Sequence, residues 1–293
     1  MVAFGSQSTR RSVIAGNWYP GTEKSLTRAV DEYLAQVDQP LVTGELLGLI
    51  SPHAGYAYSG QTAAYAYHQL QGRQVDSVVL LGPSHRAWVG EYATSVEKAY
   101  ETPLGPVPLD QVFVGDLGER VSLRRVQGDA EHSLEIQLPF LQRQLGEFRL
   151  VPIMMSADDP AVAQRLAAAL VEVIGRRVDE GKRTLLVASS DLHHIENYDE
   201  VVRRDQPVVD AVGAYDLERL TSLLMAPGCS VCGRMPILAV LHTARGLGAD
   251  AAKVLHHTNS GDVTGQRWPG QYTVGYMAAA IYNSQLDRAA GEE

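Results

Sequence analysis

LLGLISPH, residues 46–53, decides how the rest of the chain is read. An apolar run of strand length breaks into Ser51, Pro52 and His53. The same design recurs as SVVLLGPSH at residues 77–85 and as TLLVASSDLHH at residues 184–194. Each time a β-rich apolar run ends in a short serine-containing loop that delivers a histidine. Ligands of open α/β sheets bind in the crevice beyond the carboxyl ends of the strands. Three strands aiming histidines at that edge point to one shared metal or catalytic site.

Outward from these strands, helical and extended segments alternate, which predicts a single layered α/β domain: a central, mostly parallel or mixed sheet flanked by helices. Residues 1–11 read as a flexible N-terminal tail, 12–283 as the domain and 284–293 as a C-terminal tail. Thr22 is placed to cap a helix in which Leu26, Val30, Leu34 and Val37 share a face. Residues 55–60 (GYAYSG) read as a loop before a short helix at 61–70. The three prolines of residues 100–110 require extended or turning chain. Residues 131–145 read as one helix, and 148–154 as a strand that Pro152 assigns to an edge or a strand end. Asp159 before Pro160 starts an amphipathic helix. Helices at 198–215, 217–225 and 235–245 and strands at 253–257 and 272–282 follow.

Composition narrows the classes of function. The formal net charge is −9, which argues against general nucleic-acid binding and against an anionic membrane surface. Two cysteines are too few for a disulfide framework. The N-terminal sequence has no apolar core of signal-peptide length, and residues 272–282 are far shorter than the ~20 residues that span a bilayer. A cytoplasmic protein is expected.

Nine histidines are present, and most have bland readings. His68 and His242 lie in helices as packing or surface residues. His256 and His257 lie in a late strand and stay outside the site. His53 and His85 follow Ser-Pro and Pro-Ser directly after buried strands, and Asp191, His193 and His194 repeat the device. Neutral imidazole is the commonest protein metal ligand, and Asp191 is suited to orienting one. Cys229 and Cys232 have CxxC spacing, which leaves a dithiol redox pair or part of a zinc site open; a four-cysteine zinc site is excluded. Gly233 and the helix beyond put Cys232 near a helix N-terminus, which favours a thiolate. With two imidazoles it would make a three-ligand site with open positions. Glu131 and Glu135 share one face at a spacing of four, the ordinary reading being a solvated helix start. His132 lies between them.

These motifs together resemble the Memo-like family, known in bacteria and archaea as protein B of the AmmeMemoRadiSam system. The residues that carry the resemblance are AGNWYP at 15–20, SPHAGYAYSG at 51–60, LGPSH at 81–85, YETPLG at 100–105, EHSLE at 131–135, SSDLHH at 189–194 and CGR at 232–234. They run in family order from about residue 12 to 282. The family in turn resembles the class III extradiol dioxygenases, ring-opening enzymes with a related α/β fold. In those enzymes two histidines and a glutamate hold non-haem iron, and a further histidine is the acid/base.

The resemblance implies His53 and His85 as metal ligands, with Cys232 in place of the glutamate. It gives His194 the acid/base position, helped by Asp191, and His132 a supporting or substrate-contacting one. The implied cofactor is Fe(II), with Cu(I) or zinc as alternatives because a thiolate is softer than a carboxylate. The implied function is a non-haem iron-dependent oxidoreductase acting on a small-molecule substrate. The alternatives are a non-catalytic iron- or copper-binding protein and a peptide- or protein-interaction module. Trp18, Tyr56 and Tyr58 would supply an aromatic wall for substrate or peptide. A functional link to AMMECR1-like and radical-SAM proteins is also implied, with no nucleic acid or membrane as partner.

Overall fold

The structure, a computed structural model, describes residues 9–285. Residues 1–8 and 286–293, most of the two expected tails, lie outside the described residues. The first described residues form a strand, β1 (Thr9–Arg10), so the expected tail does not extend to residue 11. Arg10 is buried and ion-paired to Asp129 and Glu135, a long-range pairing that no local pattern announces.

After β1, helix α1 (Glu23–Ala35) starts at Thr22, whose hydroxyl accepts from the Ser25 amide. Strand β2 (Glu45–Ser51) leads through Gly55 into α2 (Tyr56–His68), and β3 (Ser77–Pro83) follows. Then come β4 (Tyr92–Ser95), the proline-rich hairpin of β5 (Ala99–Thr102) and β6 (Gly105–Pro108), α3 (Gln111–Gly118) and β7 (Leu123–Val126). Two short helices, α4 (His132–Glu135) and α5 (Leu138–Leu145), precede β8 (Arg149–Met155). Helix α6 (Pro160–Asp179) starts at Asp159 and is followed by β9 (Thr184–Ser189) and the two-residue β10 (His194–Ile195). The chain ends in α7 (Tyr198–Gly213), α8 (Leu217–Leu224), α9 (Arg234–Gly246), β11 (Ala251–Asn259), α10 (Ser260–Thr264) and β12 (Thr273–Asn283).

A nine-stranded mixed sheet runs β10-β12-β2-β9-β3-β8-β4-β7, with β11 also paired to β12. Its centre, β2, β9, β3 and β8, is parallel, while β12 joins β2 antiparallel. The carboxyl ends of β2, β9 and β3 therefore lie side by side at one edge, which is how three separate loops reach one place.

Both faces of the sheet are covered. In β3, Val79 and Leu81 join the core under α6 and α9, while Val78 and Leu80 join the core under α2 and α5. Leu185 and Val187 of β9 face the second core, and Leu186 and Ala188 the first. Each Val or Leu among them contributes roughly 1.5–3 kcal/mol of apolar burial. Among the described residues, no helix is long and apolar enough to cross a membrane.

Three local expectations are corrected. Helix α2 begins at Tyr56, not Gln61, so GYAYSG is mostly helix rather than loop. Gly60 is there for close packing: a Cβ at that position would lie 2.8 Å from the Tyr33 ring. Residues 131–145 form two helices, separated at Ile136 and Gln137, with Pro139 in the first turn of the second. Pro152 sits inside the sheet, because β8 lies between β3 and β4. It is tolerated because β4 pairs only with Met154 and Met155, while Leu109 bridges Leu150; Pro152 falls between these two partners.

Candidate metal centre

Ser51, Pro52 and His53 carry the chain out of β2, and the Ser189 side chain at the end of β9 meets the His53 ring. Ser189 Oγ donates its one proton to the Ser133 carbonyl at 2.6 Å and accepts from Gln137 Nε2 at 2.8 Å. Its 3.0 Å contact with His53 Nδ1 must therefore have the imidazole as donor. That fixes the tautomer, with Nδ1 protonated and a lone pair on Nε2. Burial, then the neighbouring rings of His85 and His132, holds the His53 pKa well below the usual imidazole range and keeps the ring neutral.

His85, beyond the end of β3, is oriented by a carboxylate. Glu131 Oε2 accepts from the His85 backbone amide at 2.6 Å, and Oε1 faces His85 Nδ1 at 2.9 Å. Burial pushes the Glu131 carboxyl up, but the hydrogen bonds from His85 and from the Ser133 and His85 amides prevail and hold it at about 2. An ionised acceptor keeps the proton on Nδ1 and leaves Nε2 with its lone pair. Glu131 is thus a buried support for the site, not the start of a solvated helix. Glu135 is buried too, where Arg10, Tyr19 and the amides of Val13 and Ile14 surround it.

Cys232 comes from the loop before α9. Its Sγ lies 3.0 Å from His53 Nε2 and 3.3 Å from the Asp191 amide. Ligand atoms of His53, His85 and Cys232 all fall within 4.8 Å of one another, a group that could hold one metal ion. His85 also belongs to a second such group with Glu131 and His132. Both cysteines are free thiols. The expected thiolate is not favoured by the fold alone: burial, then the Asp191 carboxyl, pushes the Cys232 thiol well above its ordinary range. A bound cation reverses that balance, because a coordinating thiol is deprotonated by the ion's own charge. Two imidazoles with outer hydrogen-bond partners and a thiol beside a lone pair fit a metal site chemically.

The remaining predicted residues divide. His132 stacks on His85 with ring centroids 4.6 Å apart and packs against Trp18 at 4.4 Å. Its Nδ1 is buried without a hydrogen-bond partner, and burial lowers its pKa to about 4. His194 Nδ1 contacts the Tyr272 hydroxyl at 3.2 Å, while its Nε2 is buried and unpartnered. Burial, then the nearby ring of His85, brings His194 to about 4. Asp191 Oδ1 accepts from the backbone amides of His53 at 2.7 Å and Ala54 at 3.3 Å, so it shapes the His53 loop rather than holding the His194 ring. Burial raises that carboxyl to about 7.

These groups line a cavity of about 680 Å³ that includes Trp18, Tyr58, His53, His85, His132, Asp191 and His194. Tyr56 does not line it. Positions 56 and 58 lie on opposite sides of a helix at 100° per residue, and Tyr56 turns into the core, where its hydroxyl donates to the Ile136 carbonyl at 3.0 Å. The opposite wall, unread in the sequence, comes from α10, the loop beyond it and β12, with Ser260, Gln266, Gln271, Tyr272 and Tyr276. The one available signal was Tyr272 beside the final strand. His256 bonds Thr62 and stacks on Tyr65, and so lies outside the cavity as expected.

A family model described as Memo-like protein matches residues 10–280. A MEMO1 family protein of Methanosarcina acetivorans is 34% identical over 278 residues, covering 93% of this chain and 98% of its own. Its counterpart in Aeropyrum pernix is 36% identical over 288 residues, with 93% and 99% covered, and that in Thermotoga neapolitana 33% identical over 289, with the same shares. On this match, over nearly its whole length, the chain belongs to the Memo-like family.

Proposed function

We propose that the protein holds Fe(II) through His53 Nε2, His85 Nε2 and Cys232 Sγ and uses it as a non-haem oxidoreductase on a small, neutral, hydroxylated aromatic substrate. One observation carries the reading: Ser189 and Glu131 lock both imidazoles in the tautomer whose Nε2 lone pair is free, beside a thiol. Bound there, Fe(II) supplies one-electron redox chemistry and Lewis acidity toward a chelating oxygen substrate. The parallel centre of the sheet, with its site at the carboxyl edge, supports a fold of the class III extradiol dioxygenase type.

The chain's own groups then have separable tasks. His194 is neutral near pH 7, and its buried, unpartnered Nε2 is suited to accept a proton from a substrate hydroxyl. Such general-base assistance contributes typically ~10² to 10⁴ in rate. Trp18 and Tyr58 supply flat walls, and the amides of Asn17, Gln266 and Gln271 offer neutral hydrogen bonds. Among the described residues, no Lys or Arg lines the cavity, which disfavours substrates that need a charged carboxylate clamp. His132 stacks on His85 and keeps that ring in place. A reducing, cytoplasmic setting suits the two free thiols.

A second reading rests on Cys232 itself. A thiolate with two imidazoles is also a good Cu(I) set, and the protein would then hold metal without turnover. Anaerobic metal titration with wild type, His53→Ala and Cys232→Ala, followed by oxygen-uptake assays on a panel of catechols, separates the possibilities. One Fe(II) per chain, lost in His53→Ala and weakened in Cys232→Ala, with oxygen uptake, is expected. Tight binding with no uptake assigns the site to metal holding; unchanged binding in both variants removes the site.

A further inference from the structure

Tyr272 stands one residue before β12 and is 52% exposed, yet its hydroxyl meets the ring of His194. The sheet register explains the meeting. Strand β10 pairs antiparallel with β12, His194 opposite Val274 and Ile195 opposite Thr273. Residues two apart in an extended chain share a face, so Tyr272 lies on the side of Val274 and therefore of His194. It is the diagonal neighbour of His194 across the pair, a separation that an aromatic side chain spans. His194, Val274 and Tyr272 all line the cavity. The two rings meet edge to face, with centroids 6.2 Å apart, and the Tyr272 hydroxyl lies 3.2 Å from His194 Nδ1.

Both backbones are pinned from outside the pair. Ser230 Oγ accepts from the His194 amide at 3.0 Å and donates to its carbonyl at 3.2 Å, while Ser260 Oγ accepts from the Val274 amide at 3.0 Å. The contact can run in two directions. With the phenol as donor, the imidazole proton sits on Nε2, which is buried and has no hydrogen-bond partner. With the imidazole as donor, Nδ1–H meets the phenol oxygen, the exposed phenol turns its own proton to solvent, and Nε2 keeps its lone pair. Orphaned buried N–H groups are rarer than buried acceptors left unfilled. The 3.2 Å separation is also long for a hydroxyl donor, whose bonds run to about 3.0 Å, and within the about 2.7–3.2 Å of N–H donors. The second direction is favoured on both counts.

We propose that Tyr272 is a positioning residue for His194: its hydroxyl oxygen accepts the Nδ1 proton and holds the neutral imidazole in the tautomer with a free lone pair on Nε2. Only that tautomer can take a proton from a substrate hydroxyl; the other presents an N–H and can only donate. Tyr272 thus does for the proton-handling histidine what Ser189 and Glu131 do for His53 and His85. The catalytic value of this hydrogen bond rests on the base role proposed above for His194, whereas its direction does not.

The test is long-range ¹H–¹⁵N correlation spectroscopy of the histidine rings in uniformly ¹⁵N-labelled, metal-free, full-length protein at pH 7.5. His194 is assigned by the pattern lost in His194→Gln. Wild type should show His194 protonated at Nδ1 and bare at Nε2. In Tyr272→Phe the ratio of Nδ1–H to Nε2–H forms should fall about tenfold, the loss of one hydrogen bond. Trp268→Phe, a change at an exposed residue of the same loop, should leave the ratio as it is. A wild-type His194 protonated at Nε2, a ratio within about twofold of wild type in Tyr272→Phe, or an equal fall in Trp268→Phe overturns the proposal. The wild-type spectrum decides the direction even where a variant does not fold. Because neither metal nor substrate is present, failure here strikes Tyr272 alone, while absence of oxygen uptake on the catechol panel strikes the base role and leaves the tautomer standing.

Discussion

Replacing Glu131 by Gln tests how far the carboxylate behind His85 sets the metal centre. The wild-type carboxylate accepts three hydrogen bonds: at Oε2 from the His85 amide, 2.6 Å, and at Oε1 from His85 Nδ1 and the Ser133 amide, both 2.9 Å. A glutamine has one acceptor oxygen and one NH₂ group. With the oxygen at the Oε1 position the NH₂ opposes the His85 amide; with the oxygen at Oε2 it opposes both the ring and the Ser133 amide. Either arrangement leaves a buried donor facing a donor, a penalty of about 1–3 kcal/mol. Outer partners of metal-bound histidines are worth about 10–100-fold in metal affinity, or roughly 1.4–2.7 kcal/mol. The two routes agree, so Glu131→Gln should weaken Fe(II) or Co(II) binding by 10–100-fold. Competition against a chelator under anaerobic conditions measures the affinity, and thermal unfolding of metal-free protein measures the structural share. Metal affinity within about twofold of wild type would refute the claim that Glu131 orients His85.

Arg10→Ala should destabilise the protein by about 3–5 kcal/mol, because it strands the buried carboxylates of Asp129 and Glu135 without their cation; a loss below about 1 kcal/mol in denaturant unfolding would contradict this. Gly275→Ala should cost about 1–3 kcal/mol in urea unfolding, since the new methyl displaces Asp205. The metal-free protein should also show a pH signature from Asp191, whose carboxyl is raised by burial from 3.8 to about 7. A raised carboxyl supports the fold fully below its unfolded value, and that support is lost as pH climbs through the folded one. Wild type should therefore lose stability relative to Asp191→Asn between about pH 4 and pH 7, and parallel curves for the two proteins would count against a protonated Asp191.

The elements that the sequence revealed are those whose cause is local. Continuous apolar runs made β2, β3 and β9 readable, and the Ser and His residues after them announced the edge where they end. Thr22, Asp159 and Asp216 capped helices where their side chains allowed. What stayed hidden depends on partners far along the chain. Glu131 and Glu135 look like a solvated helix start until His85 and Arg10 arrive from other elements. GYAYSG looks like a loop until Tyr33 is seen to need the missing side chain of Gly60. Tyr56 and Tyr58 look equivalent until the helix start is known, after which one faces core and the other cavity. His193 and His194 are adjacent letters, and only the direction of each ring puts the first against Asp205 and the second in the cavity.

The place of β12 has a consequence for how the protein is made. This strand is the last in chain order among the described residues, yet it pairs with β2 at the heart of the sheet and with β10 and β11 as well. Its Gly275 exchanges backbone hydrogen bonds with Leu192 and His193, which holds the loop carrying Asp191 and His194. A ribosome-bound chain can display His53, His85 and Cys232 long before it can fix the loop between them. Domains assemble during synthesis from the N-terminus onward, but this centre must await the final strand. The candidate site is therefore complete only once β12 has been made and has paired.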